Sequence, residues 1–299
     1  SKLLDFPADS VYAVCTLKSE PSTLFTAAAD GSVRLWDANQ GTMLAKKMLS
    51  TQPFVCASSS KLVPLVALGT VDGMLRLVVA QRPSMEAQKP RGGGGEDGMK
   101  TVYHEKLFTG ALTQLEFHPT LPLLAAASMM DGRVYVVSVR SGDIAIVATV
   151  VLAKPYSLAW VGASASGGDT TQLLVGTGDG ALWSADAPIS AGAPASADPD
   201  LLRTAPLAAT GRGKIARGSA LAIVADGAPG SSGGGQTLFI ANDSSKLLHQ
   251  IVLARDPVGA SSKLAPAAKL AAHAQTILSV VRFDPEDGAA ETLIATGGK

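Results

Sequence analysis

Short apolar runs recur along the whole chain and are separated by small polar turns. Four of the turns contain an Asp-Gly pair, preceded by small apolar residues and followed by a run rich in Val, Leu, Tyr or Trp. An Asp-Gly pair between two such runs is the strongest short-range signal for a β-hairpin, because both of its residues can take a positive φ. The pattern therefore predicts four hairpins, whose turns hold Asp30, Gly31, Asp72, Gly73, Asp131, Gly132, Asp179 and Gly180.

The hairpins belong to a longer repeat. Their glycines, at positions 31, 73, 132 and 180, are separated by 42, 59 and 48 residues. One more apolar run precedes each hairpin and another follows it, so each unit contains four predicted strands. A degenerate fifth unit and the start of a sixth follow, and no stretch keeps a helical period. Units of about 42 residues with four strands each predict an all-β fold, the β-propeller.

The first unit resembles a WD40 repeat in its strand Leu24–Ala28, its turn Asp30-Gly31 and its terminal dipeptide Trp36-Asp37. The sixth unit resembles the start of such a repeat, with His273 in the place of the histidine that opens it. The resemblance implies a WD40-type β-propeller with five near-complete blades and part of a sixth. It also implies one incomplete domain over residues 1–299, whose ring is completed outside this segment.

The resemblance further implies a buried hydrogen-bonded network in each blade. In WD40 repeats the turn aspartate, a histidine before the first strand, a Ser or Thr on the second strand and the tryptophan of the third strand form it. Asp30 and Trp36 match in the first unit, whereas Asp72, Asp131 and Asp179 match without a complete set of partners. A buried carboxylate without donors is costly, so we expect backbone amides of the turn to serve these three aspartates.

Four inserted loops interrupt the predicted blades, at about residues 81–99, 187–203, 227–236 and 255–267. Insertions in repeat proteins map to surface loops, which often bind partners. These loops contain few of the Trp, Tyr and Arg residues that anchor interfaces. The blade surfaces beside the loops are therefore the better candidates for partner binding.

Composition narrows the class of partner. The 25 basic and 25 acidic residues cancel, and no charge excess remains for binding nucleic acid. The longest apolar run, Ile144–Ala153, has ten residues, whereas a helix that crosses a bilayer needs about 20. We therefore expect neither nucleic-acid binding nor membrane insertion. The chain has only 2 cysteines, which favours a reducing, cytoplasmic compartment.

No catalytic, cofactor or metal site is predicted. The four histidines are scattered, the glycine run Gly93–Gly98 lacks the spacing of a phosphate-binding loop, and no nucleophile elbow occurs. His118 precedes a proline and is expected in a solvated turn. Cys15 and Cys56 lie 16 and 17 residues before the turn glycines Gly31 and Gly73, which predicts equivalent core positions.

The Ala- and Gly-rich insertions resemble those of large WD-repeat proteins of cilia and flagella, particularly in green algae. That resemblance implies a non-catalytic scaffold of the ciliary axoneme, a cytoskeletal location, and partners among axonemal dynein, spoke or doublet-microtubule components. It implies no small-molecule substrate. The alternatives are a WD-repeat adaptor in a vesicle coat, a ubiquitin ligase or a ribosome-assembly complex.

Overall fold

We describe a computed structural model of the chain. The residues it describes are 10–17, 20–83, 98–140, 143–161, 172–186, 200–201, 204–206, 220–226, 235–242, 247–255, 262–271, 277–283 and 293–298. Within these ranges every regular element is a β-strand and no helix occurs. The all-β prediction is therefore confirmed.

The strands form separate sheets in chain order. The first sheet holds β1 (Val11–Leu17), β2 (Glu20–Ala28), β3 (Ser32–Asp37) and β4 (Thr42–Met48), and the second holds β5 (Phe54–Ser59), β6 (Leu65–Thr70), β7 (Met74–Ala80) and β8 (Met99–Lys106). The third holds β9 (Gln114–Phe117), β10 (Leu123–Ser128), β11 (Arg133–Arg140) and β12 (Asp143–Val151). Consecutive strands are neighbours in each sheet, as expected for propeller blades.

The later sheets follow the same order. The fourth holds β13 (Pro155–Val161), β14 (Gln172–Thr177), β15 (Leu182–Asp186) and β17 (Thr204–Pro206), while the short β16 (Asp200–Leu201) pairs in parallel with β12. The fifth holds β18 (Ala220–Asp226), β19 (Gly235–Asn242), β20 (Leu247–Arg255) and β21 (Ser262–Ala271), and the sixth holds β22 (Ile277–Phe283) and β23 (Leu293–Gly298). Five blades and part of a sixth are therefore present.

The inserted loops predicted from the sequence include residues that belong to strands in the structure. Residues 262–267, placed in a loop, belong to β21, and residues 200–201 form β16. Gly235 and Gln236 begin β19, and Met99 begins β8. Strand β21 lies at the edge of its sheet and contains Pro266, which an edge strand tolerates because one side of its backbone has no partner strand.

The chain divides into two compact units, residues 1–131 with 136–145 and residues 132–135 with 146–299. In the first unit, one face of the first blade packs on the second blade. The side chains that meet are buried and apolar: Phe25, Ala27, Val33 and Leu35 from the first blade, with Val66, Leu68, Val78 and Ala80 from the second. Alternation along β2 and β3 places these residues on one face, and their burial is the main stabilising contribution to the pair of blades.

Candidate interaction surface

In all four Asp-Gly turns the glycine has a positive φ. The φ angles are +78° at Gly31, +84° at Gly73, +63° at Gly132 and +81° at Gly180. Among the described residues other than glycine, only Lys154 has a positive φ, so the turn aspartates do not. The expectation that both residues of each pair take a positive φ is therefore wrong. Three or four residues, rather than two, separate the paired strands, so the glycine closes a longer turn in the left-handed conformation.

Three of the four turn glycines, Gly31, Gly73 and Gly132, also contact the linker that leaves the same blade. The carbonyl oxygen of Gly73 accepts hydrogen bonds from the amides of Leu107 (3.0 Å) and Phe108 (3.3 Å). A Cβ at Gly73 would lie 2.2 Å from the carbonyl oxygen of Phe108, a distance that real Cβ contacts do not reach. Gly31 makes the same contacts with residues 49–50, whereas the Gly132 oxygen accepts one amide, from Leu152 (3.1 Å), and a Cβ at Gly132 would lie 3.2 Å from the Leu152 oxygen. Glycine is thus required both by conformation and by the close approach of the backbone at Gly31 and Gly73.

The aspartates of these turns accept hydrogen bonds mainly from hydroxyl groups. Thr70 donates to Asp72 (2.5 Å) and Thr177 donates to Asp179 (2.5 Å), each hydroxyl lying two residues before its carboxylate. In the first blade the corresponding residue is Ala28, and the Ser32 hydroxyl (2.5 Å) and amide (2.8 Å) donate to Asp30 instead. The expected hydrogen bond from a backbone amide of the turn occurs at Asp179, where the Ala181 amide donates over a longer distance of 3.4 Å. The hydroxyl donors were not predicted from the sequence, although their position two residues before the aspartate could have indicated them.

Asp131 is bound most extensively. Its carboxylate accepts the amides of Thr109 and Gly110 (both 3.0 Å), the Thr109 hydroxyl, and the Ser128 hydroxyl (3.0 Å). Burial alone would raise the pKa of this carboxyl, but the hydrogen bonds from Thr109, Gly110 and Ser128 outweigh it and lower the pKa. Thr109 lies in the linker before β9, and its hydroxyl donates to the turn aspartate. The WD40 resemblance implies a histidine before the first strand for this network.

The dipeptide Trp36-Asp37 joins three elements. The indole nitrogen of Trp36 donates to the Thr26 hydroxyl on β2 (2.9 Å), as the WD40 pattern implies. Asp37 accepts the amides of Asn39 (2.9 Å) and Gln40 (3.0 Å) and pairs with Arg82 at 2.6 Å. These interactions, led by the bond from Gln40, lower the pKa of Asp37. His273 lies outside the described residues, so the structure does not address its predicted role.

At the opposite ends of the second and third blades, the loop between the first and second strands is held by one side chain that accepts two backbone amides. The Ser60 hydroxyl accepts the amides of Leu62 (3.1 Å) and Val63 (3.4 Å), and Nδ1 of His118 accepts those of Thr120 (3.1 Å) and Leu121 (2.9 Å). His118 is 1% exposed, so its prediction as a solvated residue was wrong. Burial lowers its pKa to about 4, which keeps the ring neutral and able to accept both bonds.

The cysteines fill inner-strand positions but are not equivalent. Cys15 pairs with Phe25, six residues before its turn glycine, whereas Cys56 pairs with Gly69, four residues before its own. The number of residues between each cysteine and its turn glycine predicted equivalent positions, but the first strands of the two blades are offset by two residues relative to their second strands. Burial raises the pKa of both thiols to about 12, so both are protonated at neutral pH.

Among the described residues, no group of three or more His, Cys, Asp or Glu side chains is placed to hold a metal ion. A search of the same residues finds no helix long and apolar enough to cross a membrane.

Comparisons with known proteins agree with this architecture. The family model "WD domain, G-beta repeat" matches residues 2–37, which include the first three strands of the first blade. A chain in the "Crystal Structure of Mitotic Checkpoint Complex" superposes with a TM-score of 0.60 at 14% identity, over 91% of this chain and 68% of that chain. At this identity the likeness shows the fold alone.

The four-stranded sheets and their turns, with one WD40 repeat matched in residues 2–37, are those of a WD40-type β-propeller fold. A curated relative is the "Cilia- and flagella-associated protein 43" of Chlamydomonas reinhardtii. It is 28% identical over 114 residues, which is 38% of this chain and 7% of that protein. The chain thus matches a small part of a much longer relative.

Proposed function

We propose that this chain is a non-catalytic scaffold that binds other proteins in a large assembly, most specifically in the ciliary axoneme. The observation that carries the axonemal part is the 28% identity to a cilia- and flagella-associated protein over 114 residues. The propeller fold supports the scaffold part, because its blade ends form a rigid surface of turns on which loops and side chains are presented.

The contacts of the first unit support a scaffold role as well. Linkers, turns and loops are bound by backbone and side-chain hydrogen bonds, so the surface is organised before a partner arrives. A preorganised surface loses less conformational entropy on binding than a mobile one. Dynein, spoke or doublet-microtubule components are the partners we propose, with a location in the cilium or flagellum.

The test is fractionation of a tagged protein in a flagellated green alga. We expect the tag to remain with the axoneme after detergent extraction, and its abundance to fall in cells grown without flagella. An unchanged abundance in such cells, with the tag in the cell body, would contradict the axonemal proposal. Recovery with vesicle coats, ubiquitin ligases or ribosome precursors would point to the alternative adaptor functions.

A further inference from the structure

One end of the first three blades forms a continuous hydrogen-bonded surface, which we name the turn face. It consists of the turns at residues 29–31, 71–73 and 129–131 and the linkers at residues 49–53 and 107–112. The Gly31 oxygen binds the amides of residues 49 and 50. The Val71 amide donates to the Pro53 oxygen (3.1 Å), and the Leu112 amide donates to the Thr70 oxygen (3.2 Å). With the bonds of Gly73 and Asp131, every turn on this face is tied to a neighbouring linker.

Two large apolar side chains project from this surface. Val71 is 43% exposed and Met130 is 76% exposed, and each directly precedes the aspartate of its turn. The third turn has one residue more than the first two. The hydrogen bonds of Asp131 hold the backbone next to Met130 in place. The Met130 side chain lies close to Gly110 of the linker, because a Cβ at Gly110 would lie 2.7 Å from the Met130 Cβ. Methionine on a fixed turn is a suitable interface anchor, because its thioether adapts to an apolar pocket.

The charges of the turn face have one predominant sign. Asp30, Asp72 and Asp131 lie in its turns and are partly exposed, and none of the residues that make up the turn face is Lys or Arg. Ordinary carboxylates are ionised at neutral pH, and the hydrogen bonds to Asp131 favour its charged form. The complementary partner surface is therefore apolar at its centre and basic at its rim.

We propose that the turn face docks a segment of an axonemal protein in which an apolar centre is flanked by Lys or Arg residues. Met130 and Val71 contact the apolar centre, and Asp72 and Asp131 face the basic flanks. This inference rests on the axonemal function proposed above and specifies the surface and the chemistry of the partner.

The test is binding of the purified chain to demembranated axonemes stripped of the endogenous protein. The double variant Met130→Ala/Val71→Ala is expected to raise the Kd at least tenfold. The matched control is Leu62→Ala/Val63→Ala, which removes a similarly exposed pair, 47% and 50%, at the opposite end of the second blade. The control is expected to change the Kd less than twofold. Circular dichroism and unfolding midpoints equal to those of the parent are required of both variants.

The outcomes separate the two proposals. If the parent chain does not bind axonemes, the axonemal function is wrong. If the parent binds and the Met130→Ala/Val71→Ala chain binds equally tightly, or the control is the weaker of the two, the turn-face inference is wrong. A photoreactive residue in place of Met130 then identifies the contact: a crosslinked peptide rich in Lys or Arg supports the inference, and an acidic peptide or a second copy of this chain overturns it.

Discussion

The turn glycines offer a direct test of how the blades are held together. Gly73 and Gly41 both have a positive φ, +84° and +62°, but their surroundings differ. A Cβ at Gly41 would meet nothing within 4 Å, whereas a Cβ at Gly73 would lie 2.2 Å from the Phe108 oxygen and 2.7 Å from the Gly110 oxygen. The pair Gly73→Ala and Gly41→Ala therefore separates the cost of backbone conformation from the cost of displacing the linker.

The magnitudes follow from these contacts. Alanine in the left-handed conformation costs roughly 1–2 kcal/mol at either position. At Gly73 the linker must also move, and overpacking typically costs about 1–3 kcal/mol. The two bonds that the Gly73 oxygen accepts, at 3.0 and 3.3 Å, are strained or lost, at about 1 kcal/mol each. Gly73→Ala is thus expected to lose about 4–7 kcal/mol, and Gly41→Ala about 1–2 kcal/mol.

The assay is urea-induced unfolding of the parent and both variants at 25 °C, followed by tryptophan fluorescence and circular dichroism. The expected result is a much lower midpoint for Gly73→Ala and a small shift for Gly41→Ala. Gly31→Ala should repeat the large loss, because its Cβ would lie even closer to the linker. Equal losses at Gly41 and Gly73 would refute the reasoning, since the linker contact would then contribute nothing.

Three further predictions concern single side chains. Trp36→Phe and Thr26→Val should each cost about 1 kcal/mol in urea unfolding and couple in a double-mutant cycle, because each removes the same 2.9 Å hydrogen bond; additive losses would contradict this. Cys15 and Cys56 should resist a thiol reagent at pH 8 in the folded protein and react when it is unfolded, because their pKa is about 12; fast reaction of the folded protein would disprove their burial. The pKa of His118 is about 4 in the folded protein and about 6.5 in the unfolded chain, so protonation of His118 lowers the stability as pH falls from 6.5 to 4, by about 3 kcal/mol at most. The variant His118→Asn, whose amide oxygen can accept the same bonds, should flatten that part of the stability profile. An unchanged profile would rule out the contribution of His118.

Strand positions could be predicted because they depend on local alternation and turn chemistry. The predicted strand Leu24–Ala28 lies within β2 (Glu20–Ala28), and the terminal dipeptide Trp36-Asp37 ends β3 (Ser32–Asp37). Small residues before each turn and β-branched or aromatic residues after it are the preferences of paired strands. The register errors arose where strands are offset between blades, as at Cys56, because spacing from a turn does not include such offsets.

The donors to the turn aspartates could be predicted only in part. Thr70 and Thr177 lie two residues before their carboxylates, a local spacing that indicates a hydrogen bond. Thr109 lies 22 residues before Asp131, and the approach of its linker to the turn depends on the packing of two blades. The order of residues along the chain does not contain this packing, so it gives no reason to pair Thr109 with Asp131. Nonlocal polar contacts are thus the part of the site that the sequence leaves undetermined.

The hydrogen bonds that stabilise the turns also determine how the proposed docking surface would work. Asp131 joins the third turn to the linker before β9 through Thr109 and Gly110, and Met130 is the residue that this arrangement exposes. Removing the Met130 side chain would delete contacts with a partner but leave the backbone in place. Asp131→Ala would leave the side chain of Met130 intact yet free the turn that carries it, so the partner would have to order the turn on binding. A loss of affinity in that variant, together with lowered stability, would show that the hydrogen bonds of Asp131 contribute to recognition as well as to folding.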